Sequence, residues 1–322
     1  MSPDAENFSR RKAVTLIENA DAGKRLDSFL AERFTYHSRN EWQGLIGEGK
    51  ISLNGGAAKS SRRLAVGDRI EYHAADIVEP DVDPTFEIVF SDEHILVVSK
   101  SGNLPCHPAG PFFRNTLWHM LSGKYGRIYF VNRIDRETSG LLIAARSPEI
   151  ASRMSGAEYG IRKKYLALVH GHFPADLHAK GIMGPDTSSA IRKKRRFRLG
   201  VPVSGDEEYA ETIFRLLGEG DGLSAVEAEL VTGRLHQIRA TLSFLGFPLV
   251  GDKIYGVDEG IYLRFINGKL TDDDRENLMM GRQALHSSSL EFLHPVTKKE
   301  IAVKAEVPED MAKILGRIAL KK

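Results

Sequence analysis

Apolar residues near the start of the chain follow a helical pattern. Residues 26–34 carry leucine and phenylalanine three or four positions apart, and this spacing predicts a short amphipathic helix. A second apolar face at 42–46 predicts another helix, and Gly49 suits its C-terminal end. The first part of the chain is therefore expected to contain two packed helices.

After these helices, the spacing of the apolar residues changes. At 51–53 and again at 70–72 apolar residues alternate with polar ones, as expected for half-buried strands. Asn54-Gly55, directly after the first alternation, is a hairpin turn signal. The pattern thus predicts a compact helix–helix–strand–strand domain over 14–75.

The remaining chain has a longer alternation of strands and helices. Residues 1–13 are polar and are expected to be a flexible tail, while 76–84 are acidic, contain two prolines and are expected to be a linker. Residues 85–322 then form the second domain. Strands are predicted at 87–90, 94–98, 164–169, 211–217 and 225–230, and helices from Pro148 and over 236–245. The elements do not alternate regularly enough for a doubly wound parallel sheet.

Composition narrows the possible functions. The 322 residues are 42% hydrophobic and 27% charged, with a net charge of only +2, so charge alone does not imply nucleic acid. The basic residues are nevertheless clustered, most densely at 191–198, which favours an RNA or DNA ligand. The single cysteine excludes an intramolecular disulfide and makes a cysteine-based zinc site unexpected. No apolar stretch suits a signal peptide or a membrane span, so a cytoplasmic protein is expected.

A polar loop between two apolar runs, residues 130–147, holds the main candidate for chemistry. Asp135 lies two residues from Arg133 and next to Arg136, and nearby positive charge keeps a carboxylate ionised. Such an aspartate can act as a nucleophile or a base. From spacing alone, however, a turn-capping or salt-bridging role is the more common one.

Two resemblances extend these predictions. Residues 25–70 resemble the RNA-binding module named after small-subunit ribosomal protein four, in the Gly49-Lys50-Ile51 junction, Asn54-Gly55 and Gly67-Asp68. The stretch "NRIDRETSGLLIAA" resembles the signature of the RluA family of pseudouridine synthases. Further matches follow in order, over about 85–305: "SGNLPCHPAG", "KKYLALVHG", "GRLHQIR" with "GDKIYG", and "ALHSSSLEFLHP".

The RluA resemblance implies a fold and a set of roles. The fold is an α+β pseudouridine synthase fold with a mixed, mainly antiparallel central sheet flanked by helices and loops, preceded by the small N-terminal α/β RNA-binding domain. Asp135 matches the catalytic aspartate, Arg133 the arginine that moves as the base is flipped, Tyr165 the tyrosine that stacks on uracil, and Arg234 the arginine that pairs with the aspartate. Substrate contacts are expected from Asn132, Thr138, Leu285, Lys164 and Arg239. At Asn132 the family usually has histidine.

The implied reaction detaches uracil from ribose at nitrogen, turns it and reattaches it through carbon 5. It involves no redox change, so no cofactor and no metal is expected. The partner is RNA, with large-subunit ribosomal RNA expected first and transfer RNA as the alternative, and the protein is expected to be a monomer. RNA-binding cations are predicted at Arg25, Arg39, Lys50, Lys59, Arg62, Arg63, Arg192, Lys193 and Lys194.

Two other functions fit parts of the sequence. A non-catalytic RNA-binding protein would not need Asp135, Tyr165 and Arg234 together, and a nucleosidase acting on free nucleosides would not need the N-terminal RNA module. The adjacent Cys106 and His107 do not form a protease pair, because neighbouring residues in an extended loop point apart.

Overall fold

A computed structural model describes residues 12–34, 39–73, 79–156 and 159–321 of the protein. Most of the predicted tail and residues 76–78 of the predicted linker lie outside the described residues. The described chain divides into two compact units. The first ends at Asp81 and also takes in Pro108–Arg114, and the second begins at Val82 and includes the rest.

The first unit contains the predicted helices and strands. Its helices are α1 (Leu26–Arg33) and α2 (Arg39–Gly47), and its strands are β1 (Lys12–Leu16), β2 (Ile51–Leu53), β3 (Gly56–Ala57) and β4 (Arg69–His73). The strands form an antiparallel sheet in the order β1-β4-β2-β3. The predicted apolar faces meet in one buried core, which includes Leu26, Phe29, Leu30, Trp42, Ile46, Ile51 and Ile70.

The second unit is built on one large sheet. Its strands are β5 (Phe86–Ser91), β6 (Ile95–Lys100), β7 (Tyr129–Phe130), β8 (Ser139–Ala145), β9 (Arg162–His170), β10 (Leu177–Pro185), β11 (Arg195–Arg198), β12 (Glu208–Gly220), β13 (Leu223–Leu230), β14 (Leu285–Leu293), β15 (Glu300–Lys304) and β16 (Ala319–Leu320). The main path runs β11-β10-β12-β13-β9-β14-β8-β6-β5. Among the described strands only β8 and β14 pair in parallel.

Short helices cover the faces of this sheet. They are α3 (Leu117–Tyr125), α4 (Pro148–Met154), α5 (Gln237–Phe244), α6 (Gly260–Ile266), α7 (Asp272–Leu278) and α8 (Glu309–Leu315). The start of α4 follows its predicted signal, since the Ser147 hydroxyl accepts a hydrogen bond from the Ile150 amide at 3.3 Å and Pro148 occupies the first helical position. The predicted α+β class with a mainly antiparallel sheet is confirmed.

Candidate active site

The loop that carries Asp135 lies between β7 and β8, and the buried side chain of Lys100 is hydrogen-bonded to its backbone. The Lys100 ammonium donates hydrogen bonds to the carbonyl oxygens of Ser101 at 2.9 Å, Arg136 at 3.0 Å and Thr138 at 2.5 Å. Burial lowers the pKa of Lys100 to about 8, which leaves it protonated at neutral pH. Because an ammonium has three donors, all three are used, and they tie the backbone that directly follows Asp135 to the end of β6.

A glycine directly after the loop allows the sheet to close around it. Gly140 has a φ of +101°, and a β-carbon there would lie 2.2 Å from the carbonyl oxygen of Ser287. Gly140 pairs with Ser287 in the parallel contact between β8 and β14. Only glycine fits this close approach, so Gly140 sets how near the Asp135 loop lies to β14.

The Asp135 carboxylate is held by two donors and remains partly open. Its Oδ2 atom accepts hydrogen bonds from Arg239 Nη1 at 2.7 Å and from Gln283 Nε2 at 3.3 Å. The side chain keeps 24% of its surface exposed, whereas that of Arg239 keeps 6%. The carboxylate is therefore anchored on one side and accessible to a ligand on the other.

Arg239 is itself fixed by a second carboxylate. Its Nε and Nη2 atoms donate to the two oxygens of Asp252 at 2.7 and 2.9 Å, the bidentate geometry that a planar guanidinium favours. Asp252 also accepts hydrogen bonds from the amides of Ile254 and Tyr255. The Tyr255 ring lies against the guanidinium, with 4.9 Å between Arg239 Cζ and the ring centroid. This arrangement leaves Nη1 as the donor directed at Asp135.

The charges of this cluster keep Asp135 ionised. Burial opposes ionisation of the carboxyl, but the adjacent Arg239 charge outweighs it and lowers the pKa of Asp135 to about 2. Burial likewise opposes the charged form of Arg239, and the charge of Asp252 more than compensates, so the pKa of Arg239 is raised. At neutral pH the pair is a carboxylate and a guanidinium.

The prediction that Arg234 pairs with Asp135 was wrong. Arg234 precedes α5 in a loop, and its guanidinium donates to Glu208 at 2.6 Å and to the Tyr209 carbonyl oxygen at 3.1 Å. Arg239, predicted only as a substrate contact, is the ion-pair partner. The reason is helical geometry: the buried face of α5 carries Arg239 inward, while Arg234 lies before the helix begins and points to β12.

Tyr165 and Leu285 are buried side chains near this cluster, and we call them the apolar floor of the site. Both are buried, at 5% and 4% exposure, in one core group with Ile254 and Tyr255, against which Ile134 of the Asp135 loop packs. Burial, with a smaller contribution from the Asp135 charge, raises the pKa of Tyr165. The predicted stacking residue is thus brought to the same region as the predicted catalytic residue.

The other predicted contacts of the loop differ in exposure. Arg133 is exposed, and no ion pair holds it within the part of the chain that the structure describes. Asn132 accepts a hydrogen bond from the Ile143 amide at 2.9 Å and is thereby fixed to β8. Thr138 is buried, and its hydroxyl accepts from Gln283 Nε2 at 2.7 Å. Thr138 therefore orients the second donor to Asp135 and does not face a ligand.

Lys164 lies on the wrong face of β9 for the predicted substrate contact. Its Nζ atom pairs with Glu227 of β13 at 3.3 Å. Leu166 and Leu168, on the same face as Lys164, belong to a different core group from Tyr165. Because side chains alternate along a strand, adjacent residues cannot both face the Asp135 cluster.

Two family models match this chain, one for each unit. The RNA pseudouridylate synthase model matches residues 94–244, which include Asp135, Tyr165 and Arg239, and the S4 domain model matches residues 24–70. A ribosomal large subunit pseudouridine synthase D of Zymomonas mobilis is 32% identical, over 92% of this chain and 94% of that protein. The chain belongs to the RNA pseudouridylate synthase family.

Other relatives agree with the family assignment. A ribosomal large subunit pseudouridine synthase D of Xylella fastidiosa is 31% identical over 99% of this chain and 95% of its own length. Among solved structures, human RNA pseudouridylate synthase domain containing 1 is 25% identical over 71% of this chain and 86% of that chain, with a TM-score of 0.54. The protein is thus an RNA pseudouridine synthase, and the predicted recognition of both parts is confirmed.

Several residues of this enzyme's site were not assigned a role from sequence. Gln283 and Asp252 orient Asp135 and Arg239, and Lys253 Nζ pairs with Glu137 of the Asp135 loop at 2.9 Å. The motif Gly251-Asp252-x-x-Tyr255 was visible as part of the resemblance, but its link to Arg239 required the fold. Gln283 had no signal in the sequence, since a lone glutamine before a strand is common.

The predicted RNA-binding cations fall into three groups: those paired with a carboxylate, one that lies over an aromatic ring, and those without an ion pair among the described residues. Arg25 and Arg39 pair with the buried Asp27 at 3.0 and 3.1 Å, Lys50 pairs with Glu48 at 3.1 Å, and Lys194 pairs with Glu259. Lys193 lies over the Tyr262 ring, with Nζ 4.6 Å from its centroid. The others are exposed and, among the described residues, form no ion pair: Lys59, Arg62, Arg63 and Arg192.

A histidine beside the site is expected to stay neutral. His236 Nδ1 lies 3.0 Å from the Tyr255 hydroxyl, and Nε2 lies 3.9 Å from Asp135 Oδ2. The Tyr255 oxygen already accepts from the Arg195 amide at 2.7 Å, so its proton is free to be donated to Nδ1. Burial, helped by the Arg239 charge, lowers the pKa of His236 to about 4.

We therefore predict that His236 does not titrate between pH 5 and 7. Its folded pKa lies below the ordinary value of about 6.5. Between these two values the unfolded chain binds a proton that the folded protein does not, so His236 makes folding less favourable as pH falls through this window. Histidine ring nuclear magnetic resonance should show a neutral ring protonated at Nε2 at pH 6, and a doubly protonated ring at that pH would contradict the geometry.

Within the described residues no group of three or more His, Cys, Asp or Glu side chains is arranged to hold a metal ion. No helix in the described ranges has the length and apolar character to cross a membrane.

The one cysteine, Cys106, is buried beneath the Asp135 loop, where its thiol donates to the Ile134 carbonyl oxygen at 3.3 Å.

Proposed function

We propose that this enzyme converts specific uridines of large-subunit ribosomal RNA to pseudouridine, with Asp135 as the catalytic carboxylate. The single observation that carries the proposal is the Asp135–Arg239 pair, an ionised, oriented and partly open carboxylate close to the buried Tyr165. The choice of ribosomal RNA rests on the relatives from Zymomonas mobilis and Xylella fastidiosa, which are both named for the ribosomal large subunit.

The target uridine has to leave its stack before Asp135 can reach it. Extrusion of a nucleotide costs a few kcal/mol. Stacking on an aromatic ring returns about 1–3 kcal/mol, and Tyr165 supplies such a ring. Arg133, exposed on the Asp135 loop, is suited to occupy the space that the base leaves and to contact phosphate. The RNA therefore binds with its target base over the apolar floor and its backbone near the loop.

The ionised carboxylate then serves one of three steps. It attacks the sugar, attacks the uracil ring or removes a proton from the sugar, and each step needs an unprotonated oxygen that faces the nucleotide. Arg239 keeps Asp135 negative and oriented, and Gln283 fixes the same oxygen. Oδ1 forms no hydrogen bond with the described residues and is the atom assigned to the reaction.

The substrate class can be tested with labelled RNA. Large-subunit ribosomal RNA and transfer RNA, each prepared with tritium at uracil carbon 5 from cells lacking this gene, are incubated separately with the purified enzyme. Tritium release from ribosomal RNA in stoichiometric amounts, with none from transfer RNA, is the expected result. Release from transfer RNA alone would contradict the proposed substrate.

The N-terminal unit is proposed to add RNA affinity through its exposed cations. The double substitution Lys59→Ala and Arg62→Ala removes two charges that form no ion pair with any residue the structure describes. We therefore expect weaker RNA binding, and the slope of log affinity against log salt concentration should be smaller by about 1–2. The Lys50→Ala variant is the matched control, because Lys50 is already paired with Glu48. Filter binding between 50 and 200 mM salt measures both. An unchanged slope in the double variant would remove Lys59 and Arg62 from the RNA interface.

A further inference from the structure

The two faces of β9 have different surroundings. Tyr165, Ala167 and Val169 belong to the core group that includes Ile134 of the Asp135 loop at its edge. Leu166 and Leu168 point to the opposite side and pack in another group. Lys163 precedes Tyr165 by two positions, so it projects from the Tyr165 face.

The cations beside Lys163 are neutralised, whereas Lys163 is not. Arg162 pairs with Glu229 at 3.2 Å and with Glu291 at 3.0 Å, and Lys164 pairs with Glu227 at 3.3 Å. Within the described ranges no carboxylate pairs with Lys163, and its ammonium donates no hydrogen bond. β9 therefore carries two paired cations on one face and one unpaired cation on the face of Tyr165.

The Lys163 ammonium lies at the loop before α5. A β-carbon built on Gly233 would be 3.6 Å from Lys163 Nζ. This loop is firmly held, because the Gln237 carboxamide accepts hydrogen bonds from Thr232 Oγ1 at 2.8 Å and from the Arg234 amide at 2.9 Å. Lys163 is half-buried there, and burial lowers the pKa of its ammonium with no carboxylate to compensate. An anion that binds beside this cation therefore stabilises it.

We propose that Lys163 binds a phosphodiester group of the RNA next to the flipped uridine. The α-carbons of Lys163 and Tyr165 are about 6.7 Å apart along the strand, so a nucleotide whose base lies on Tyr165 has its sugar–phosphate within reach of the flexible lysine side chain. Phosphates are the anions that RNA offers, and a lysine binds them as a point charge. Lys163 is thus a substrate-binding residue that sets where the backbone of the target nucleotide lies. This inference rests on the proposed function, because it takes the flipped uridine to occupy the Tyr165 face.

The test compares two adjacent lysines. Lys163→Met removes the unpaired charge on the Tyr165 face, and Lys164→Met removes a charge on the opposite face that Glu227 already neutralises. A charge-assisted hydrogen bond contributes about 1.5–3 kcal/mol, so Lys163→Met is expected to raise KM for the labelled RNA by about tenfold or more. For Lys163→Met, the slope of log RNA affinity against log salt concentration should become smaller by about 1. Its kcat at saturating RNA should stay within about twofold of the wild-type value.

Further variants separate a phosphate contact from other roles. Lys163→Arg retains the charge and should recover most of the lost affinity, whereas Lys163→Gln should resemble Lys163→Met. Lys164→Met should match the wild type in KM and salt slope. Circular dichroism and thermal melting of each variant show that the fold is intact. If Lys163→Met fails to fold, the comparison of Lys163→Gln with Lys163→Arg decides the question in the same assays.

Two results would overturn the assignment. One is a Lys163→Met variant indistinguishable from Lys164→Met in KM and salt slope. The other is a loss of kcat at unchanged KM, which would mean that the ammonium acts on the reacting base and not on phosphate. Failure of the proposed function would give a different result. The wild type would then release no tritium from ribosomal RNA, although RNA binding could still be compared between the variants.

Discussion

Replacing Asp135 with asparagine is expected to abolish tritium release, with a loss of about 10³-fold or more in kcat. Asparagine has nearly the same shape but lacks the negative oxygen that the reaction needs, and losses of this size follow removal of a catalytic group. The amide can still accept a hydrogen bond from Arg239, so the site should keep its form. Single-turnover tritium release from labelled large-subunit ribosomal RNA measures the effect.

RNA binding provides the control for this variant. Asp135→Asn should bind RNA at least as tightly as the wild type, because it removes a negative charge from a surface that meets phosphate. Full activity in Asp135→Asn would exclude Asp135 as the catalytic group. A loss of activity accompanied by a comparable loss of binding would reassign Asp135 to substrate recognition.

Replacing Arg239 with methionine is expected to cost both stability and activity. The change leaves Asp252, whose side chain has no exposed surface, without its guanidinium partner. Breaking a buried pair by removing one partner destabilises a protein by about 3–5 kcal/mol. For a domain of this size such a loss lowers the melting temperature by about 10 °C. Thermal unfolding monitored by circular dichroism measures it.

Activity at a temperature where Arg239→Met remains folded isolates the effect on chemistry. Asp135 would lose its main anchor, and misplacement of a reacting group by about 1 Å can cost about 10²-fold in rate. Arg239→Lys retains a charge but cannot reproduce the bidentate contact with Asp252, so it should recover only part of the loss.

Arg234→Met is the matched control for Arg239→Met. Arg234 pairs with Glu208, which is more than half exposed, and an exposed pair contributes at most about 1 kcal/mol. The melting temperature and kcat should therefore change little. If Arg234→Met lost as much activity as Arg239→Met, the ion pair seen between Asp135 and Arg239 would not be the one that supports catalysis.

The sequence predicted most of the fold because its local patterns were consistent. The apolar spacing at 26–34 and 42–46 became α1 and α2, and the Ser147-Pro148 signal became the start of α4. Strand β8 was harder to assign, since all seven of its residues are buried and a continuous apolar run has no alternation to reveal it. The parallel pairing of β8 with β14 joins segments far apart in the chain and has no local signal.

A single motif was enough to select Asp135 as the candidate residue, whereas the choice between two arginines as its ion-pair partner was wrong. Arg234 and Arg239 are five positions apart, and only the start of α5 decides which of them turns inward. The error at Lys164 is different in kind, because alternation along the predicted strand already puts Lys164 on the face opposite Tyr165. Gln283 had no local pattern, and Asp252 lay in a visible motif whose contact with Arg239 depends on the fold.

The most direct test of the account is a map of pseudouridines in cells. Total RNA from a strain lacking this gene is compared with RNA from the same strain expressing either the wild type or Asp135→Asn. We predict that one or more pseudouridines of large-subunit ribosomal RNA disappear on deletion, return with the wild type and stay absent with Asp135→Asn. An unchanged map on deletion, or restoration of the missing sites by Asp135→Asn, would contradict the central claim.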